Sequence, residues 1–317
     1  PVALGNKPPP LDLLNLPRPR AAAPWAYLKV AEGCDRSCGF CAIPSFRGRQ
    51  RSRTRESILA EAEALEVREV VLVAQDLASY GRDLGRPGDI VPLVEDLAAR
   101  VDRVRLLYLY PSELDDGLTE VICATGVPYF DLSLQHVSRP LLRRMRRWGD
   151  GNRFLDRVAR IRGREPQAVF RSSFIVGYPG ETEADHDRLL GFLVEAQLDW
   201  AGLFAFSCEE GTHAATLDGQ VDGGLAAERL RELSEVQDGI TAARRTALVG
   251  STAEVLVDRP GVARSHREAP EIDGVVLVPM DLEVGEIVEV EISGAIGPDL
   301  EAVPVAGRVA ATAAGAG

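Results

Sequence analysis

The chain has 317 residues, of which 45% are hydrophobic and 26% charged, with a formal net charge of −12. That is the profile of a soluble globular chain with room for one large domain and a small one, and its acidity argues against broad electrostatic capture of nucleic acid. No apolar run approaches the roughly 20 residues that span a bilayer and no basic-then-apolar leader opens the chain, so no membrane partner and a cytoplasmic location are expected.

Residues 1–23, with Pro8, Pro9, Pro10, Pro17 and Pro19 followed by Ala21, Ala22 and Ala23, read as a linker. A linker in this position implies that a further domain precedes it. From Trp25 onward apolar runs alternate with amphipathic stretches. Strands are predicted at 26–31, 70–74, 104–110, 129–134, 169–176 and 200–206, and helices at 55–65, 91–101, 113–125, 152–161 and 183–197. This alternation predicts parallel βα units, an α/β fold in the form of a partial (β/α)6 barrel over residues 24–248, with function at the C-terminal strand ends. An open doubly wound sheet is the alternative. The helix ending at Leu65 meets the next strand with almost no loop, which predicts either a very tight turn or missing residues near 65–68. A last helix at 225–248 leads into short alternating strands at 253–257, 274–278 and 287–292, which predict a small OB-like β-barrel over 249–305. Residues 306–317 are Ala- and Gly-rich and predict a loose tail.

The five cysteines are Cys34, Cys38, Cys41, Cys123 and Cys208, an odd number and a poor disulfide framework. The first three lie within eight residues, directly after the first strand. Three thiolates on one loop can hold three irons of a four-iron cluster and leave the fourth open to chelate the amino and carboxylate groups of a small molecule. A structural zinc site wants four ligands in paired short spacings. No second pair accompanies these cysteines, and the histidines are His136, His186, His213 and His266.

The spacing C-x-x-x-C-x-x-C with Phe40 before the last cysteine resembles the radical S-adenosylmethionine superfamily. Further strings resemble the methylthiotransferases within it: Ile43-Pro-Ser-Phe-Arg-Gly, Val73-Ala-Gln-Asp-Leu-Ala-Ser-Tyr-Gly, Leu107-Tyr-Leu-Tyr-Pro-Ser, Leu134-Gln-His-Val-Ser, Leu142-Arg-Arg-Met-Arg-Arg and Phe174-Ile-Val-Gly-Tyr-Pro-Gly-Glu-Thr. The resemblance implies a 4Fe-4S cluster on Cys34, Cys38 and Cys41, S-adenosylmethionine on the open iron, an electron donor as partner, and cleavage of the cofactor to a radical that abstracts hydrogen. It also implies that the 249–305 barrel is a TRAM domain. The backbone at Phe40 is expected to meet the adenine, Gln75 and Asp76 the ammonium, and Gln135, His136 and Ser138 the ribose and methionine, with hydrogen bonding that closes the barrel mouth as the alternative for Gln135 and His136. Arg171 and Gly177 belong to the next strand, where Gly177 and Gly180 would admit the adenine.

Arg143, Arg144, Arg146 and Arg147 read as a solvated face, as do most of Arg47, Arg49, Arg51, Arg53 and Arg55. Arg51 and Arg53 are the exceptions, expected near the mouth. Cys123 reads as a buried small side chain and Cys208 has no ligand role.

Two substrates compete within the resemblance: an adenosine beside the tRNA anticodon, and an aspartate of small-subunit ribosomal protein twelve. Residues 250–317 carry twelve acidic side chains against four arginines, the wrong sign for gripping phosphates. The string Ala263-Arg-Ser-His-Arg-Glu-Ala-Pro-Glu-Ile-Asp-Gly-Val-Val resembles the ribosomal-protein subfamily. The protein substrate is favoured, with tRNA and a cluster-bearing docking module as alternatives. Full-length members bind a second cluster in an N-terminal domain, and without it this chain is expected to cleave the cofactor but not to complete sulfur insertion.

Overall fold

The computed structural model describes Leu14 and residues 21–309. Nearly all of the 1–23 linker and of the 306–317 tail lies outside the described residues, except that the last strand runs on to Val309.

The order of elements is β1 (Trp25–Lys29), β2 (Ala31–Glu32), α1 (Ile43–Arg47), β3 (Arg51–Ser52), α2 (Arg55–Leu65), β4 (Glu69–Val73), α3 (Ile90–Ala98), β5 (Arg103–Leu106), α4 (Asp116–Ala124), β6 (Tyr129–Gln135), α5 (Arg139–Arg144), α6 (Gly151–Arg164), β7 (Val169–Val176), α7 (Glu183–Ala196), β8 (Trp200–Ala205) and α8 (Gly223–Thr246). Then come β9 (Thr252–Arg259), β10 (Val262–Arg264), β11 (Val276–Leu277), β12 (Ile287–Ile296) and β13 (Asp299–Val309). Local chemistry sets several helix starts. Thr54, Asp115 and Asp150 cap α2, α4 and α6 through their side chains, and Thr182 with Asp185 forms a full capping box on α7.

Strands β1, β4 and β5 pair in parallel, as do β6, β7 and β8. A parallel bridge from Leu109 to Leu132 joins the two sets. The result is the six-stranded partial barrel with β1 and β8 at its edges, not an open doubly wound sheet. Helices bury Ile58, Leu93, Leu97, Ile122, Phe154 and Leu193 against its outside, while Val71, Leu107, Tyr129, Val169 and Trp200 fill the lumen. The turn after Leu65 is the tight alternative: Glu66 takes a left-handed backbone at φ 52°, and Arg68 N donates to Pro24 O at 2.8 Å.

Strand β5 ends earlier than predicted, because Tyr108 adopts φ 62° and breaks the extended run. Strands β9 to β13 close into a barrel in the order β10-β11-β13-β12-β9 around Val255, Val257, Val288, Val290 and Ile292. Its β10 and β13 were not anticipated, since three residues and a Pro-containing run give weak alternation.

The two barrels are joined by insertion. Residues 264–273 run from β10 under the N-terminal ends of the six parallel strands. Arg105, fully buried, donates to Glu69 at 2.8 Å and to the carbonyls of His266 and Ser265. Arg264 reaches the other Glu69 oxygen at 2.9 Å. Tyr27 donates to Pro270 O, Trp200 Nε1 to Arg267 O and Tyr129 to Asp273 Oδ2, and Ala269 joins the lumen core. Burial pushes the Glu69 carboxyl up, but the guanidiniums of Arg105 and Arg264 outweigh that and hold it below its usual range.

Candidate active site

The cysteine loop leaves the mouth of the partial barrel and returns to it. Strands β2 and β3 pair antiparallel at its neck, Ala31 with Ser52 and Glu32 with Arg51. Gly33 turns the chain there at φ 83°, where an added Cβ would lie 2.2 Å from Arg49 O. Backbone bonds pin the loop: Cys34 N to Gly48 O at 3.1 Å, Gly39 N to Met145 O at 2.8 Å and Ala214 N to Gly39 O at 2.7 Å. Gln75 Oε1 accepts from Gly33 N at 2.8 Å.

Cys34, Cys38 and Cys41 line one cavity of about 200 Å³, together with Arg36, Phe40, Ile43, Gln75, Asp76, Tyr108, Tyr110, Ser133, Gln135 and Arg147. Every contributing strand supplies these groups from its C-terminal end or the loop beyond it, as the barrel geometry requires. Larger clefts beside α6 and α7 and between the two barrels contain no cysteine. Among the described residues no three His, Cys, Asp or Glu groups gather closely enough to share one metal ion. The thiols thus surround a space and do not converge on a point.

Arg36 lies across the floor. Its Nε donates to Asp76 Oδ2 at 2.6 Å and its Nη2 to Glu113 Oε1 at 3.0 Å and Ser79 Oγ at 3.1 Å. Asp76 Oδ1 is buried with no hydrogen-bond partner. Arg147 Nη1 donates to Cys38 Sγ at 3.4 Å and Nη2 to the Ser133 carbonyl. Both guanidinium carbons lie 4.0 Å from the Tyr110 ring centroid. Burial pushes the Cys34 and Cys41 thiols up. Tyr108 (φ 62°) and Gln135 (φ 70°) hold left-handed backbones on its wall, strain of the kind that clusters at functional sites.

Of the expected contacts, Phe40, Gln75, Asp76 and Gln135 line the cavity and Ser138, Arg171 and Gly177 do not. Ser138 is buried and donates to Asp185 Oδ1, supporting α7. Arg171 is held by Asp131 at 3.1 Å and Asp273 at 3.4 Å, deeper in the lumen. Gly177 keeps φ 79°, and the space a Cβ would need there belongs to Ala226, 2.8 Å away. His136 is fully buried and accepts from Ser138 N, with its Nε2 unpartnered. Arg53 faces away from the mouth, donating to Lys29 O and Ser57 beside Glu61, and Arg51 is exposed. Sequence reasoning missed Arg147, Arg36, Tyr108 and Tyr110 as cavity residues; a position just past a strand or cysteine could have flagged the last three, and nothing in the sequence singled out Arg147.

A curved sheet of six parallel strands carries three thiols on the loop after the first, gathered at the barrel mouth. The Radical SAM superfamily model matches residues 28–193 and the TRAM domain model residues 249–305; the chain belongs to the radical SAM superfamily and carries a TRAM domain. It is 46% identical over 298 residues to the ribosomal protein uS12 methylthiotransferase RimO of a Nocardioides species, covering 89% of this chain and 62% of that protein. The corresponding protein of Salinispora tropica is 48% identical over 301 residues, covering 89% and 59%. The chain thus spans about three fifths of the length of these relatives. Two solved structures share the fold at low identity. Coproporphyrinogen III oxidase of Escherichia coli has a TM-score of 0.52 at 13% identity, over 69% of this chain and 53% of that one. The methyltransferase TsrM of Kitasatospora setae has 0.51 at 14%, over 70% and 53%.

The superfamily implies a 4Fe-4S cluster and S-adenosylmethionine. The cavity residues fit both: three thiols for the iron, an uncommitted buried oxygen on Asp76 for a donor, and cationic Arg147 beside Cys38 Sγ.

Proposed function

We propose that the chain carries the radical-generating and TRAM portions of an enzyme that adds a methylthio group to an aspartate of ribosomal protein uS12. The observation that carries this reading is the placement of Cys34, Cys38 and Cys41 around one cavity at the strand mouth, in a chain 46% identical to a relative named for that reaction. Cys34, Cys38 and Cys41 would hold the cluster, which when bound supplies one electron to cleave S-adenosylmethionine. Asp76 Oδ1 and Gln75 would receive the cofactor's ammonium, and the Phe40 backbone its adenine. Gln135 borders the same space, while Ser138, Arg171 and Gly177 act as supports outside it. The electron comes from an external donor, and sulfur insertion draws on a second cluster outside this chain. Among the described residues no helix is long and apolar enough to cross a membrane, and a cytoplasmic setting beside the ribosome belongs to the same reading.

The TRAM barrel favours a basic protein over RNA. Asp258, Glu268 and Asp273 are consumed in buried contacts, and Glu283, Glu291 and Glu301 remain exposed. Such a surface steers a cationic partner and repels phosphate.

Anaerobic reconstitution should give about four irons per chain. Replacing Cys34, Cys38 or Cys41 with Ala should remove the brown chromophore, and replacing Cys123 or Cys208 should leave it unchanged. Reversing Glu283, Glu291 and Glu301 to Lys should slow association with uS12 at low salt, with the difference fading as salt rises. Tight, steeply salt-dependent tRNA binding without affinity for uS12 would overturn the substrate assignment.

A further inference from the structure

Two arginines face the cavity, and their surroundings differ. Arg36 is matched by carboxylates, Asp76 at 2.6 Å and Glu113 at 3.0 Å. Arg147 sits on the Tyr110 ring, donates to the Ser133 carbonyl and to Cys38 Sγ, and leaves its buried Nε without a partner. Among the described residues no carboxylate pairs with it. The chain is bent to bring it there. Helix α5 ends at Arg144, Arg146 takes φ 54°, and Arg147 N turns back to Leu142 O at 2.7 Å. A half-buried cation with no counter-ion is costly unless a ligand supplies the negative charge.

A four-iron cluster held by three thiolates is a net anion in its oxidised form and a stronger one after it takes up an electron. A fixed cation hydrogen-bonded to one ligand sulfur therefore favours the reduced form more than the oxidised one. We infer that Arg147 is a tuning residue: its guanidinium, bonded to Cys38 Sγ, raises the reduction potential of the cluster and selects how strong an external one-electron donor the enzyme needs. The inference rests on the reading that these cysteines hold such a cluster. In the reaction it concerns, one electron passes from donor to cluster, the donor is oxidised, and no proton or bond is exchanged.

The test is a redox titration of the reconstituted chain, following the paramagnetic signal of the reduced cluster against potential. Arg147→Lys, which keeps the charge, is compared with Arg147→Gln and Arg147→Met, which remove it. The neutral variants should be at least about tenfold harder to reduce, a fall of about 59 mV for one electron, and the lysine variant should stay close to the parent. Loss of the cluster from both neutral variants, with retention in Arg147→Lys, would equally support charge pairing. Unchanged midpoints in the neutral variants, or loss of the cluster from all three with folding intact by circular dichroism, would overturn the inference. Failure of the unaltered chain to take up iron would sink the underlying cluster reading, a result distinguishable from either.

Discussion

The two ends of the partial barrel are both built on arginine, and Arg147 at the mouth is used unlike any arginine named at the base. At the base, Arg105 and Arg264 share Glu69, Arg245 meets Glu268, and Arg171 lies between Asp131 and Asp273, with backbone carbonyls taking further donors. At the mouth, Arg147 has no carboxylate, Asp76 Oδ1 has no donor, and Tyr108 and Gln135 are held in left-handed backbone. Buried charge is expensive, so a guanidinium paired with a carboxylate fits a scaffold role even where single nitrogens stay unpartnered, as on Arg245, and one that faces a cavity with no carboxylate fits a place where something else binds. Counting arginines could not separate the two. Counting the carboxylates paired with them does.

The sharpest way to test this contrast is Glu69→Ala at the base. It strands the buried guanidinium of Arg105, leaves Arg264 with Asp258 alone, and should cost about 3–5 kcal/mol, measured by denaturant unfolding. A loss below about 1 kcal/mol would mean that the base is not the scaffold described here.

A second effect lies under the mouth. Burial, the largest influence, lowers His136 from 6.5 to about 4, so it stays neutral in the folded chain. Its contribution is fully present above pH 6.5 and is lost as pH falls towards 4, because the unfolded chain takes the proton first. Asp273, which burial pushes up to about 6, titrates in the opposite sense, so the informative quantity is the difference between parent and His136→Asn. Across that window the parent should lose roughly 3 kcal/mol relative to the variant, at about 1.4 kcal/mol per pKa unit. Parallel pH profiles would show that folding leaves the His136 pKa unshifted.

Asp273→Asn tests the base more gently. It keeps the size of the side chain but weakens the contacts to Arg171 and Tyr129, and should cost about 1–3 kcal/mol without changing iron content. Gln135→Gly at the mouth should have the smallest effect, about 1 kcal/mol or less in either direction, because relief of left-handed strain offsets the backbone entropy of glycine. A loss as large as that of Glu69→Ala would put Gln135 in the scaffold.

Much of this was legible in the sequence because period and spacing are local. Helix α2 and strand β7 fall where their patterns predict, and the three closely spaced cysteines do meet around one cavity. What was not legible depends on contacts between distant residues. Arg143, Arg144, Arg146 and Arg147 look alike in sequence, and only the left-handed turn at Arg146 sends Arg147 inward. Arg171 reads as a cofactor contact until Asp273, about a hundred residues later, is seen to hold it. The string after Ala263 resembled a substrate-specific signature, and in the fold it is a plug under the barrel.

That plug has a consequence for how the chain is made. Arg105 and Tyr27 complete their bonds only with residues 265, 266 and 270, at sequence separations of 160, 161 and 243. During synthesis the six-stranded unit therefore emerges with its floor open, exposing Trp200, Tyr129 and the Glu69 cluster until the TRAM segment follows. Closing such long loops is entropically slow. Final locking of the barrel waits until residues 264–273 have left the ribosome, and the two domains should mature as one cooperative unit.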